Sequence, residues 1–109
     1  MILRFYKRAD GVAPFWEWVM TLRDSLTQDR IDQRLSRFRL GNMGDCKSVG
    51  GGIWEARLHF GPGYRIYYAL DGRELIVLLC GGDKSTQAND IRTAREYWDD
   101  YRISKEEER

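Results

Sequence analysis

Apolar and polar positions alternate from Ile2 to Tyr6, which predicts a short strand with Leu3 and Phe5 on one side. Phe15, Val19 and Leu22, with Trp18 beside them, recur at helical spacing. They predict a helix from Pro14, a residue suited to a first helical turn, to about Leu22. A second helix is expected from Thr27 as N-cap, with Leu26 and Ile31 as a hydrophobic staple. Its apolar stripe is Ile31, Leu35 and Phe38, and Gly41 supplies a left-handed stop. Residues 41–52 contain Gly41, Gly44, Gly50, Gly51 and Gly52 and read as a loop. Three strands follow, Ile53–Phe60, Tyr64–Ala69 and Glu74–Cys80, turned by Gly61-Pro62-Gly63 and Asp71-Gly72. The run Leu75–Cys80 has no polar alternation, so this strand is expected to be covered on both faces. A last helix, capped by Ser85 or Thr86, aligns Ile91, Ala94, Trp98 and Tyr101 on one face.

The order β-α-α-β-β-β-α predicts a small α+β fold: a mostly antiparallel four-stranded sheet packed with about three helices. The first strand is expected to pair with a later strand and not with a sequence neighbour. The chain has 109 residues, enough for one domain, which we place at 1–104, with a charged tail at 105–109 that frays. Hydrophobic residues at 42% and aromatics at 13% exclude a disordered chain. No apolar run is long enough to span a membrane, and the first residues lack the pattern of a signal peptide. Cys46 and Cys80 have no CxxC spacing and are expected to be reduced, which points to the cytoplasm. A single histidine excludes zinc sites built from several His and Cys ligands, and neither metal nor cofactor is expected.

A net charge of +1 argues against a nucleic-acid partner only in bulk. From Asp90 onward there are five basic and seven acidic residues, which leaves 13 basic against 10 acidic in residues 1–89. Arginine outnumbers lysine 14 to 4, and its planar fork suits bidentate phosphate contact.

Strand parity then locates the cations. On Ile53–Phe60, Glu55, Arg57 and His59 share a face, opposite Trp54, Ala56 and Leu58. An odd loop at Gly61–Gly63 sets residue 57 against 67 and 59 against 65. That register adds Arg65 and Tyr67 to the same face, expected to be exposed, whereas an even loop would bury Arg65. Two arginines with a tyrosine fit a polyanion site, the guanidinium clamping phosphate and the ring stacking a base. The plainer description is an exposed strand whose Glu55 pairs with Arg57 or Arg65, and residue type alone favours it. Gly81-Gly82-Asp83-Lys84-Ser85-Thr86 enters the last helix, either as an anion-attracting helix start or as a simple capped entry. His59 has the chemistry of a general base, although a lone histidine beside a glycine turn is more often a surface residue. Arg30, Arg34 and Arg37 form a stripe that faces solvent or a partner.

Three segments together carry a family resemblance: Gly52-Ile53-Trp54-Glu55-Ala56-Arg57-Leu58, Gly61-Pro62-Gly63-Tyr64-Arg65-Ile66-Tyr67-Tyr68 and Gly81-Gly82-Asp83-Lys84-Ser85-Thr86-Gln87. With Ile91 to Tyr101 they resemble the RelE/ParE superfamily of type II toxin–antitoxin systems, in its HigB-like addiction module killer subgroup. The resemblance implies a RelE-like fold and a toxin that cleaves mRNA on the ribosome, blocking translation. It also implies a helix-turn-helix antitoxin encoded by an adjacent gene. By similarity Arg65 holds the phosphate-binding arginine position, Arg57 that of an active-face lysine, and Lys84 lies near that of a second arginine. Glu55 stands where RelE carries another lysine, and Gln87 or Asn89 where it carries a C-terminal tyrosine. The expected site is Arg57, Arg65 and Lys84 as charge stabilisers, with RNA bound by these and Tyr67. Glu55, His59 or Tyr67 would take the proton. Two other functions share the resemblance: a ParE-like gyrase inhibitor and a non-catalytic antitoxin-binding relative.

Overall fold

The computed structural model describes residues 1–108. Five strands, β1 (Ile2–Phe5), β2 (Cys46–Ser48), β3 (Trp54–Arg57), β4 (Arg65–Asp71) and β5 (Leu75–Gly82), form one sheet in the order β1-β5-β4-β3-β2. The helices are α1 (Pro14–Thr21), α2 (Ser25–Arg39) and α3 (Gln87–Glu107), the last entered through a 3₁₀ turn at Lys84–Thr86. The expected α+β architecture is present, and β1 pairs in parallel with β5, a late strand. The four-stranded sheet becomes five-stranded because Cys46–Ser48, expected as loop, pairs antiparallel with Trp54–Ala56. No hydrophobic alternation announces this strand, because its residues are only half-buried or exposed.

The faces follow the predicted parity. Phe15, Val19, Ile31, Leu35 and Phe38 of α1 and α2 pack on Ala56, Ile66, Tyr68, Ile76 and Leu78. On the opposite face Ala94 and Trp98 of α3 cover Tyr67, Ala69, Val77 and Leu79, with Ile91 and Tyr101 against them. β5 is therefore apolar throughout because helices cover it on both sides. Its last residues are glycines for steric reasons. A Cβ at Gly81 would lie 2.1 Å from the Trp18 ring, and one at Gly82 would lie 1.8 Å from Asp90 Oδ2.

Three local expectations change. α2 starts at Ser25, not beyond Thr27, because the Asp24 carboxylate accepts from Leu26 N (3.1 Å) and Thr27 Oγ1 (2.9 Å). Leu26 is consequently an exposed helical residue, not a staple. Strand β3 ends at Arg57, and Arg57 opposes Arg65 in place of Tyr67. The connection is longer than Gly61–Gly63: Leu58 N donates to Tyr64 O (3.0 Å), and Gly61 and Gly63 take positive φ. The register moves by two residues, so each side chain keeps its face. Finally, α3 continues through Glu107, with Lys105 Nζ 2.5 Å from Asp71 Oδ2, so the charged segment 105–109 begins inside a helix; Arg109 lies outside the described residues.

Candidate functional site

The β3–β4 face expected to be open is covered at its centre. Glu55 lies in the ladder between Lys47 of β2 and Tyr67 of β4, and both Glu55 and Tyr67 have 0% exposure. The first turn of α3 closes over them. Glu55 Oε2 accepts from Tyr67 Oη (3.0 Å) and Gln87 Nε2 (2.8 Å). Its other oxygen has no hydrogen-bond partner among the described residues and sits 3.7 Å from Arg65 Nε and 3.9 Å from Lys47 Nζ. Burial, then the hydrogen bond to Glu55, raise the Tyr67 phenol well above its ordinary value. Tyr67 therefore cannot stack a base from solvent, and neither it nor Glu55 can reach an RNA hydroxyl. Their accessible contribution is to hold Arg65.

The cations emerge at the edge of this covered region. The Arg57 side chain is 33% exposed and that of Arg65 is 11% exposed, with the Nε of each buried. Arg65 lies between Arg57 on β3 and Gly82 on β5. Gly63 takes a φ of 79°, which favours glycine, and its Cα flanks both basic residues: a Cβ there would lie 3.4 Å from Lys84 Cβ and 3.6 Å from Arg65 Nη1. A cleft of about 450 Å³ opens between His59, the Phe60–Gly63 turn, Arg65 and Lys84. A second cleft of about 270 Å³ continues past His59 to Arg57, Arg30 and Arg37. There the Arg30 guanidinium sits 4.5 Å from the Phe60 ring centroid.

Asp45, in the glycine-rich segment, lines the second cleft and contacts His59, which lines both. One carboxylate oxygen accepts from Arg57 Nη2 (2.8 Å) and the other contacts His59 Nε2. These hydrogen bonds, that of Arg57 first, hold its carboxyl at about 2, below the usual range. The backbone around it is pinned by Arg34, the middle of the expected arginine stripe. Arg34 is not on a solvated face: its guanidinium turns inward and donates to the carbonyls of Met43 (3.2 Å), Asp45 (2.9 Å) and Arg57 (2.9 Å). Arg30 and Arg37 remain on the cleft.

The start of the last helix does not offer a free anion site. Asp83 fills it, accepting from Ser85 N (2.8 Å) in a capping box with Thr86. Lys84 alone of that segment reaches the cleft. A cleft of about 490 Å³ also lies between β1 and the end of α3, but Lys105 there is paired with Asp71 and Arg4 donates to Tyr101. Sequence reasoning missed Asp45 and the inward turn of Arg34. Asp45 lies in a segment without periodicity, and Arg34 sits on the polar side of α2, where only the packing of residues 43–57 turns its guanidinium inward.

Among the described residues no group of three His, Cys, Asp or Glu side chains is placed to hold a metal ion. No helix of the described residues is long and apolar enough to cross a membrane.

Fold and site together define a small α+β protein with a cation-lined cleft at one end of a mixed sheet. Residues 18–99 match the phage-derived Gp49-like protein family (DUF891), and the chain belongs to that family. The family is related to addiction module killer toxins. The chain is 44% identical over 81 residues to an uncharacterized protein of Haemophilus influenzae, a match covering 74% of this chain and 82% of the relative.

Proposed function

We propose that the protein is the toxin of a type II toxin–antitoxin system, HigB-like within the RelE/ParE superfamily, and that it cleaves mRNA on the ribosome. The observation that carries this reading is the clustering of basic residues around His59: Arg65 and Lys84 line one cleft, Arg57 lines the cleft that adjoins it, and Arg57 stands opposite Arg65 in the ladder. Attack of an RNA 2′-hydroxyl on its own 3′-phosphate builds negative charge on the phosphoryl oxygens. Fixed cations aimed at that charge lower the barrier, and losing one such contact costs about 3–4 kcal/mol, or 10²–10³ in rate. Guanidinium forks suit two phosphoryl oxygens at once.

The cations are prearranged by acidic neighbours, the buried Glu55 behind Arg65 and the half-exposed Asp45 beside Arg57. This preorganisation is what electrostatic catalysis requires. The near-neutral chain has little long-range attraction for naked RNA, so the ribosome supplies substrate orientation. The reaction is accordingly cytoplasmic. The partner that silences it is an antitoxin, a helix-turn-helix protein encoded beside the toxin.

Expression of the protein alone, followed by mapping of mRNA ends on stalled ribosomes, tests the reading. Growth arrest with new cuts inside translated codons supports it. Arrest with intact messages and broken chromosomal DNA would assign the fold to gyrase inhibition instead, and unimpaired growth would leave an antitoxin-binding relative.

A further inference from the structure

Cleavage requires an acceptor for the 2′-hydroxyl proton, and the cleft narrows the choice. Glu55 and Tyr67 are fully buried and hydrogen-bonded to each other. Guanidinium and ammonium groups are donors only. His59 remains: its side chain is 67% exposed, it lines both clefts, and it is the one histidine of the chain.

We infer that Asp45 is a positioning residue that fixes His59 as the general base, with Nδ1 as the proton-accepting atom; this rests on the nuclease reading above. The assignment of the nitrogen follows from hydrogen-bond chemistry. An ionised carboxylate can only accept, so the Nε2 facing Asp45 Oδ2 must carry the proton. The lone pair of the neutral ring is then on Nδ1, which has no hydrogen-bond partner among the described residues. The same carboxylate holds Arg57 Nη2 at 2.8 Å on its other oxygen. One side chain thereby sets both the base and a phosphate-binding cation.

Asp45 is itself held by its backbone. Its carbonyl accepts from Arg57 N (2.9 Å) and from Arg34 Nη2 (2.9 Å), contacts that do not involve the carboxylate. In the step, the O2′–H proton passes to His59 Nδ1 as the O2′–P bond forms. The P–O5′ bond breaks, and the leaving oxygen keeps the electron pair and takes a proton from solvent water. The products are a 2′,3′-cyclic phosphate and a 5′-hydroxyl, and the imidazolium returns its proton to solvent.

Asp45→Asn is the informative variant. Its amide oxygen can still accept from Arg57, but its NH₂ faces Nε2 and donates to it, moving the ring proton to Nδ1 and removing the acceptor. Single-turnover cleavage of an mRNA in the ribosomal A site should fall about 10²-fold or more in Asp45→Asn and in His59→Gln, the usual worth of a general base. The double variant should be no slower than His59→Gln by more than about threefold, because the two residues act as one unit. With ¹⁵N-histidine the single ring should show the Nε2–H tautomer in the native protein and Nδ1–H in Asp45→Asn. A native protein that cuts while His59→Gln, which cannot unfold through so exposed a side chain, or Asp45→Asn stays within about threefold overturns the inference alone. A native Nδ1–H tautomer also overturns it. A native protein that leaves mRNA intact overturns the nuclease reading, and this assignment with it.

Discussion

Arg57 and Arg65 stand directly opposite one another in the β3–β4 ladder. Like charges so placed repel, at up to about 1 kcal/mol. Each is offset by a separate carboxylate, Asp45 for Arg57 and buried Glu55 for Arg65. The pair is thus held in place by acids that leave the cleft side cationic, an arrangement that suits a polyanion better than it suits folding.

The role of Arg65 is best tested with Arg65→Lys. A lysine retains a cation toward Glu55 but loses the planar fork. We expect at least a tenfold loss of growth inhibition (about 1.4 kcal/mol) with the urea midpoint nearly unchanged. Arg65→Ala should also destabilise the protein, by about 3 kcal/mol, because Glu55 loses a neighbouring cation while remaining buried. Equal urea midpoints for the two variants would show that Glu55 does not depend on Arg65.

Glu55→Gln should lower stability by about 1–3 kcal/mol, because the amide cannot accept from Tyr67 and Gln87 while also facing Arg65 and Lys47 with a carboxylate oxygen. Activity should fall with it, through the loosened Arg65. A denaturation curve superimposable on that of the native protein would refute the positioning role of Glu55.

Replacing Arg34 by Met should cost about 3 kcal/mol or more, since three carbonyls, those of Met43, Asp45 and Arg57, lose a charged donor. Hydrogen exchange at residues 43–46 should rise more than in α3. Uniform exchange changes across the chain would argue against a local anchoring function.

At Gly82 the expected result is a steric one. Gly82→Ala places a Cβ 1.8 Å from Asp90 Oδ2 and 2.8 Å from Thr86 Oγ1, so the start of α3 must shift, at a cost of about 1–3 kcal/mol. Asp90→Ala in the same chain should recover much of the loss in thermal midpoint. No recovery would mean that the strain falls on the backbone and not on Asp90.

Acid should weaken the site through Asp45. Its folded-state carboxyl is depressed to about 2 from an ordinary 3.8, so the stability it contributes is present above about pH 4 and is lost as pH falls toward 2. Asp45→Asn should remove that part of the acid-unfolding profile and leave the profile flatter between those limits. An unchanged slope would place the ion pairs of Asp45 outside the folding balance.

Several features were legible from local pattern. The β-α-α-β-β-β-α order, the two faces of β3 and β4 and the inward face of α3 all follow from period, which survives any register shift of two residues. The turn glycines were legible too. β2 was not, since a three-residue half-buried edge strand carries no alternation and exists only because β3 offers it an edge. Capping of α2 falls to Asp24 and not to Thr27, because both are chemically competent caps and backbone direction selects between them; Thr86 is the N-cap of α3 as expected, but its side chain makes no capping bond and Asp83 caps the 3₁₀ turn before it.

The sequence by itself determined that Glu55, Arg57, Arg65 and Tyr67 lie on one side of the sheet, because side chains alternate along every strand. Only the tertiary structure decided which of them meet solvent. α3 closes over Glu55 and Tyr67 but stops short of the end where Arg57, Arg65, Lys84 and His59 emerge, and Asp45 arrives there from a segment with no periodicity at all. Period is a local property of the chain; coverage depends on where a distant helix packs, and that packing turned an expected open face into a buried support with a cationic rim.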